Sequence, residues 1–275
     1  MKIFAVFGNP IKHSKSPIIH KLFAEQLNII QQYEKIYVPI NKFNNVINHF
    51  FKHGGLGANI TVPFKKNAYN ICDFLTQRGI NSGVVNTLKI TKNNQILGDN
   101  TDGIGLLKDL KRINFIYKNS NILLIGAGGA AQGIIYPLIN FGCKITIINR
   151  TYENSCNLLK YFNYKKNINI LKIEDINNKK INYDLIINAT SSSIKGVIPN
   201  ISSSIIHSNI FCYDLFYSSK ITPFLDWCLY HGAKKISDGI GMLIEQAAYS
   251  FFLWHGVMPN TRLILKKLKN NNNNF

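Results

Sequence analysis

Between residues 2 and 99, short apolar and β-branched runs alternate with segments whose apolar residues recur at helical spacing. "KIFAVFG", "YEKIYVP" and "LGANITV" read as strands, and "SPIIHKLFAEQLN", "FNNVINHFFKHG" and "FKKNAYNICDF" read as the helices that follow them. "GVVNTLKIT" and "NQILGD" are strand-like again, on either side of Asn93-Asn94. A helix from Asp102 to about Ile113 comes next, followed by the polar "NFIYKNSN". Then the alternation restarts, with strands at 121–126 and 144–149, helices at 129–141 and 151–163, and strands near "DLIINAT" and "IFCYDL". Alternation of this kind predicts mostly parallel sheets with helices on their faces. Two α/β units in series, with no internal repeat, are the expected architecture.

Composition agrees with that division. The chain has 275 residues, 46% of them hydrophobic, enough for two cores. The most apolar stretch, "GMLIEQAAYSFFLWHG", is interrupted by Glu245 and Gln246, and the opening "MKIFAVFGNP" has too short an apolar run for a secretion signal. A cytoplasmic protein without a membrane segment is expected. The five cysteines are scattered and never spaced as C-x-x-C, so reduced thiols are expected, with no disulfide framework and no metal site. The net charge of +18 raises the question of nucleic acid. Its distribution answers no: the basic residues come singly or in pairs such as Lys65-Lys66 and Lys179-Lys180, and the excess of Lys, Asn and Ile, ending in "KKLKNNNNNF", is what an A/T-rich genome imposes.

Candidate chemistry begins at "ILLIGAGGAAQG", where a strand runs into a glycine turn and a helix. Gly126 permits the tight turn, Gly128 lets backbone approach a pyrophosphate, and Ala131 allows close helix-to-strand packing. The helix that follows offers free N–H groups to an anion. An NAD site normally carries an Asp or Glu at the tip of the next strand, to accept from the ribose hydroxyl. Here the tip is Asn149-Arg150-Thr151, and a guanidinium pairs with a 2′-phosphate instead, which points to NADP. Such a cofactor implies hydride transfer, and a hydride leaving a secondary alcohol requires a group to take the hydroxyl proton. Lys65, expected in the first turn of a helix opened by Pro63, sits where the helix dipole disfavours an ammonium, as suits a proton donor and acceptor. Asp102 opens another helix, where a carboxylate is favoured.

"GNPIKHSKSPIIH", "GANITVPFK", "GVVNTL", "GDNTDGIG", "IGAGGAA", "INRT" and "GIGMLIEQAAYSFFLWHG" occur in one order over residues 3–258. In order and approximate spacing they resemble the shikimate dehydrogenase family. The resemblance implies NADP-linked, reversible reduction of 3-dehydroshikimate to shikimate in aromatic amino-acid biosynthesis. It implies Lys65 and Asp102 as the catalytic pair, and Ser14 and Ser16 on the substrate carboxylate. Asn59, Thr61, Asn86 and Gln246 would lie near the ring hydroxyls, with Tyr217 also near substrate. For the cofactor it implies the turn Gly126, Ala127, Gly128, Gly129 and Ala130, the tip Asn149, Arg150 and Thr151, the loop Asn188, Ala189 and Thr190, then Leu215, Gly239 and Met242. The implied fold is an N-terminal α/β substrate domain (1–101 with 239–275) and a Rossmann-like, doubly wound NADP domain (102–238). The C-terminal helices return to the first domain, and the catalytic cleft lies between the two. A homodimer is left open. One departure stands out: the second basic residue that often follows the "NRT" turn by three positions is replaced by Asn154.

Overall fold

The computed structural model describes residues 1–162, 166–177 and 182–272. Residue 163 of the second unit's expected helix, the Lys179-Lys180 pair and the end of the asparagine tail lie outside the described residues. The chain forms two compact units, Met1–Leu106 together with the chain from Leu243 onward, and Leu107–Met242.

The first unit runs β1 (Lys2–Gly8), α1 (Ser16–Gln26), β2 (Gln31–Tyr37), α2 (Phe43–Lys52), β3 (Gly55–Ile60), α3 (Lys65–Asn70), β4 (Phe74–Leu75), α4 (Gln77–Ser82), β5 (Thr87–Ile90), β6 (Ile96–Asp99) and the start of α5 (Asp102–Arg112). Its six-stranded sheet has the order β2-β1-β3-β5-β6-β4. This sheet is mixed. β1 is parallel to β2 and β3, but β5 is antiparallel to both β3 and β6. The reversal from β5 to β6 is made by the tight turn at Asn93-Asn94, where Asn94 takes a positive φ of 57° and the Thr91 N–H donates to the Gln95 carbonyl. A two-strand hairpin needs no crossover helix, so "alternating" strands here are neighbours in opposite directions. Phe7, Val38, Phe43, Ile47, Ile60, Phe64 and Leu88 fill the core on one side of this sheet.

Pro63 sits in the turn ahead of α3, not in its first turn, and Lys65 is the first helical residue. Ser16 and Pro17 are the first residues of α1, whose N-cap position is Lys15.

The second unit continues with β7 (Asn121–Ile125), α6 (Gly129–Asn140), β8 (Lys144–Ile148), α7 (Tyr152–Tyr161), β9 (Ile168–Leu171), β10 (Leu185–Asn188), β11 (Phe211–Asp214), α8 (Pro223–Tyr230), β12 (Lys235–Asp238) and the first residues of α9 (Ile240–His255). All five pairings of its sheet are parallel, in the order β12-β11-β10-β7-β8-β9. That is the doubly wound order, and its switch point lies between β7 and β10, where ligands of such sheets bind beyond the strand ends. The central strands β7 and β10 are near-continuous apolar runs, as burial on both faces requires. The remainder of α9 and α10 (Thr261–Asn272) belong to the first unit, so the chain does return there. No helix among the described residues is long and apolar enough to cross a membrane.

Candidate active site

In the first unit, the connection from β6 to α5 and the start of α3 bring Lys65 and Asp102 together. Lys65 Nζ donates to Asp102 Oδ2 at 2.5 Å, and both side chains are buried. The aspartate is fixed from its own side of the chain: Asn100 accepts from the Asp102 N–H at 3.1 Å while its amide donates to the Val84 carbonyl at 3.0 Å. The other carboxylate oxygen, Oδ1, accepts from the Asn86 side-chain amide at 2.8 Å.

Asn86 is a hub. Its amide also donates to Gln246 Oε1 at 3.1 Å, and its Oδ1 accepts from the Thr101 N–H at 2.8 Å and the Thr87 hydroxyl at 3.0 Å. Asn59 is committed in the same way, donating to Ser250 (2.9 Å) and Thr87 (3.1 Å) and accepting from the Tyr33 hydroxyl at 2.7 Å. Gln246, Ser250 and Trp254 recur every four residues on α9, hence on one face. They meet three consecutive residues: Gln246 bonds Asn86, Ser250 bonds Thr87 at 2.8 Å, and the Trp254 indole donates to the Leu88 carbonyl at 2.9 Å. Close approach is secured by glycines, since a Cβ on Gly57 would lie 2.3 Å from the Trp254 indole nitrogen and one on Gly105 would lie 2.7 Å from the Gln246 backbone. Beneath Tyr33 the His20 ring is stacked at 4.2 Å, and burial, then the nearby His255, lowers its pKa to about 3.

Ser14 and Ser16 are adjoining, the Ser16 N–H donating to Ser14 Oγ at 3.3 Å, and Thr61 follows β3 on the same unit. Thr61 packs so closely on Gly8 that a Cβ there would be 2.4 Å from its methyl group. The first unit therefore holds Ser14, Ser16, Asn59, Thr61, Lys65, Asn86, Asp102 and Gln246; Tyr217 is in the second. Thr87, Asn100, Thr101 and Ser250 join the cluster without having been singled out from sequence. "DNTD" contains two of them, but a hydroxyl inside a motif carries no sign of burial.

In the second unit, Gly126 ends β7 with φ +110°, and a Cβ there would press on the Ala189 carbonyl and Thr190 at 3.2 Å. Gly128, the N-cap of α6, is exposed, and a Cβ on it would meet open space. Those two observations fit a dinucleotide: the turn is forced tight, and the space before the helix N-terminus is where a pyrophosphate meets bare backbone. Ala127, Gly129 and Ala130 complete this turn. Across the switch point, Asn188 shapes the next loop by accepting from Thr190 and donating to Ser193 (3.2 Å) and Asp214 (3.1 Å). Asp214 is the organiser missed in the sequence. It is fully buried, bonded also to Thr222 and to the Phe216 N–H, and burial raises its pKa against the pull of those hydrogen bonds. Gly239 packs on Leu215, where a Cβ would stand 2.2 Å from its carbonyl oxygen, and Met242 is buried nearby in sequence on α9. At the β8 tip, Asn149 donates to the Thr151 carbonyl at 2.8 Å, and Arg150 is exposed.

Family models match along the chain: the shikimate dehydrogenase substrate binding domain at residues 6–88, shikimate / quinate 5-dehydrogenase at 109–206, and the shikimate 5'-dehydrogenase C-terminal domain at 239–269. Among solved structures, an Ael1 enzyme from Pseudomonas putida is 34% identical, with 98% of each chain covered and a TM-score of 0.87. A shikimate dehydrogenase in complex with NADP+ is 30% identical over 98% of this chain and 96% of that one, with a TM-score of 0.85. The shikimate 5-dehydrogenase from Listeria monocytogenes, in complex with shikimate and NAD, is 25% identical over 98% and 96%, with a TM-score of 0.84. A buried lysine–aspartate pair on one α/β unit, a tight glycine turn ahead of a helix on the other, and these matches along the chain lead to one conclusion: the chain belongs to the shikimate/quinate 5-dehydrogenase family of nicotinamide-dependent dehydrogenases.

Proposed function

We propose that the protein is an NADP-dependent shikimate dehydrogenase, interconverting 3-dehydroshikimate and shikimate. The observation that carries this reading is the buried Lys65–Asp102 pair, with Asn86 and Gln246 beside it. A bound nicotinamide supplies the hydride exchange at the carbinol carbon. The chain's own task is the proton. In the reducing direction Lys65 gives a proton to the carbonyl oxygen as that oxygen gains charge, and in the oxidising direction it takes the hydroxyl proton back. Asp102 accepts a hydrogen bond from Lys65, and so holds Nζ in place. The second hydrogen bond to Asp102, from Asn86, keeps the carboxylate from rotating away. Ser14 and Ser16 offer hydroxyl donors to a carboxylate, as an acidic triol requires. Arg150, without an acidic neighbour at the strand tip, favours the 2′-phosphorylated cofactor.

The deciding experiment follows NADPH formation with shikimate, and with quinate in parallel. Turnover of shikimate that is lost in Lys65→Ala supports the reading. Preferential oxidation of quinate would reassign the substrate within the family, and failure with both would remove the reading altogether.

A further inference from the structure

A 2′-phosphate carries close to two negative charges, and the tip of β8 offers it one cation, Arg150. The helix position expected to supply the second is Asn154. The neighbouring strand supplies what the helix lacks. β8 and β9 are parallel, with Ile148 paired to Leu171, so Asn149 and Lys172 are the next residues out from their strands at the same sheet edge. Adjacent strands lie about 4.8 Å apart, which puts the two exits within side-chain reach of one another. Lys172 is exposed, and its Nζ stands 5.9 Å from the centroid of the Tyr152 ring. Tyr152 is the first residue of α7, two positions after Arg150.

We propose that Lys172, held over the Tyr152 ring, is a specificity residue that reads the 2′-phosphate of NADP together with Arg150. The inference rests on the NADP reading above. A ring face attracts an ammonium while using none of its three N–H donors, so the lysine is oriented and its hydrogen-bonding capacity is left for a ligand. Neither Lys172 nor Arg150 belongs to an ion pair among the described residues. Carboxylates do stand close in sequence: Glu153 follows Tyr152, Glu174 and Asp175 follow Lys172, and Asp175 lies near Tyr152. Asp175 touches Lys172 through the backbone, its N–H donating to the Lys172 carbonyl at 3.2 Å, but none of these carboxylates forms an ion pair with the ammonium among the described residues; they make an unpaired cation more useful there, because a dianion entering this edge meets acidic groups that Arg150 alone would have to offset.

The test measures binding of adenosine 2′,5′-bisphosphate and of 5′-AMP by calorimetry, and kcat/KM with NADP and NAD, for the wild type, Arg150→Ala, Lys172→Ala and Lys172→Arg. Thermal melts establish that each variant is folded. Lys172→Ala is expected to weaken the bisphosphate and lower the NADP/NAD ratio by about 10-fold, the low end for one charge-assisted hydrogen bond, while leaving 5′-AMP and NAD unchanged. Lys172→Arg should keep most of the preference. If Arg150→Ala loses the preference and Lys172→Ala does not, the lysine stands outside the phosphate site and the NADP reading survives. If the wild type itself binds the bisphosphate no better than 5′-AMP and uses NAD as well as NADP, the NADP reading fails and the role of Lys172 fails with it.

Discussion

Around Asn86 nearly every polar atom already has a protein partner, whereas at Gly128 the backbone faces open space. The two units solve different problems. In the first, a carboxylate and an ammonium must be kept in one geometry, and the chain does so by surrounding them with amides and hydroxyls that are themselves saturated. Such a cluster pays its ordering cost during folding, so little reorganisation remains for the reaction. In the second, the glycine turn leaves backbone N–H groups bare ahead of α6, and at that turn the sequence contributes by keeping side chains out. Damage should therefore look different in the two places. Loss of a group in the first unit should show in the chemistry or in substrate binding. Addition of a group in the second should show in cofactor affinity.

Lys65→Ala gives the largest expected effect, a fall in turnover of about 10²–10⁴-fold with NADP affinity unchanged by direct titration. Asp102→Asn should fall in the same direction. Near-normal rates in both would break the comparison at its strongest point. Next come the two serines. Removing either Ser14 or Ser16 is expected to weaken shikimate binding by about 10-fold without altering NADP binding, because a hydrogen bond to a charged carboxylate is lost. Shikimate titrations on the two single variants check this, and equal binding in both would take these hydroxyls out of the site.

A pair of glycine variants sharpens the other side. Gly126→Ala forces a Cβ onto positive φ and into contact with Ala189, so it should lose about 1–3 kcal/mol of stability as well as cofactor affinity. Gly128→Ala meets nothing in the protein and should leave the melting temperature alone while weakening NADP. Melting curves and cofactor titrations together distinguish the two. The smallest effect is one of pH. His20 and His255 have pKa values lowered to about 3 and about 4, in each case chiefly by burial, against an ordinary value of 6.5. The unfolded chain then binds more protons than the folded one between those limits. Stability is complete above pH 6.5 and declines as pH falls toward 4, by about 1.4 kcal/mol per pH unit for fully buried His20. His20→Phe should flatten that decline in acid unfolding measurements, and an unchanged slope would assign the acid sensitivity to other groups.

The longer elements were legible because period and punctuation agreed: "KIFAVFG", "ILLIG" and "KITII" are strands of apolar and β-branched residues, and the glycine turn sits between strand and helix. What escaped was short or polar. β4 is two residues, α4 is six residues with Gly79 inside, and β9 and β12 are four-residue strands among Asn, Lys and Ser. The hairpin that makes the first sheet mixed was visible as Asn93-Asn94, but strand direction has no signature in a hydrophobic pattern. The same divide separates the site residues. Lys65, Asp102 and the glycines stand in recognisable local settings. Ser250 and Thr87 are ordinary polar residues until 163 positions of chain fold them into contact. Asp214 likewise gains its role only when Ser193 and Thr222 close around it.

The face of α9 that carries Gln246, Ser250 and Trp254 also dictates an order of assembly. During synthesis residues 86–88 leave the ribosome long before their partners, and the whole of 107–242 is made in between. The second unit can complete its parallel sheet on emerging. The first must wait with the Leu88 carbonyl still hydrated until α9 arrives to cover it. The polar cluster around Lys65 and Asp102 is thus finished late in biogenesis although its lysine and aspartate are made early, and a nascent chain halted before residue 243 would contain both residues without Gln246 and Ser250.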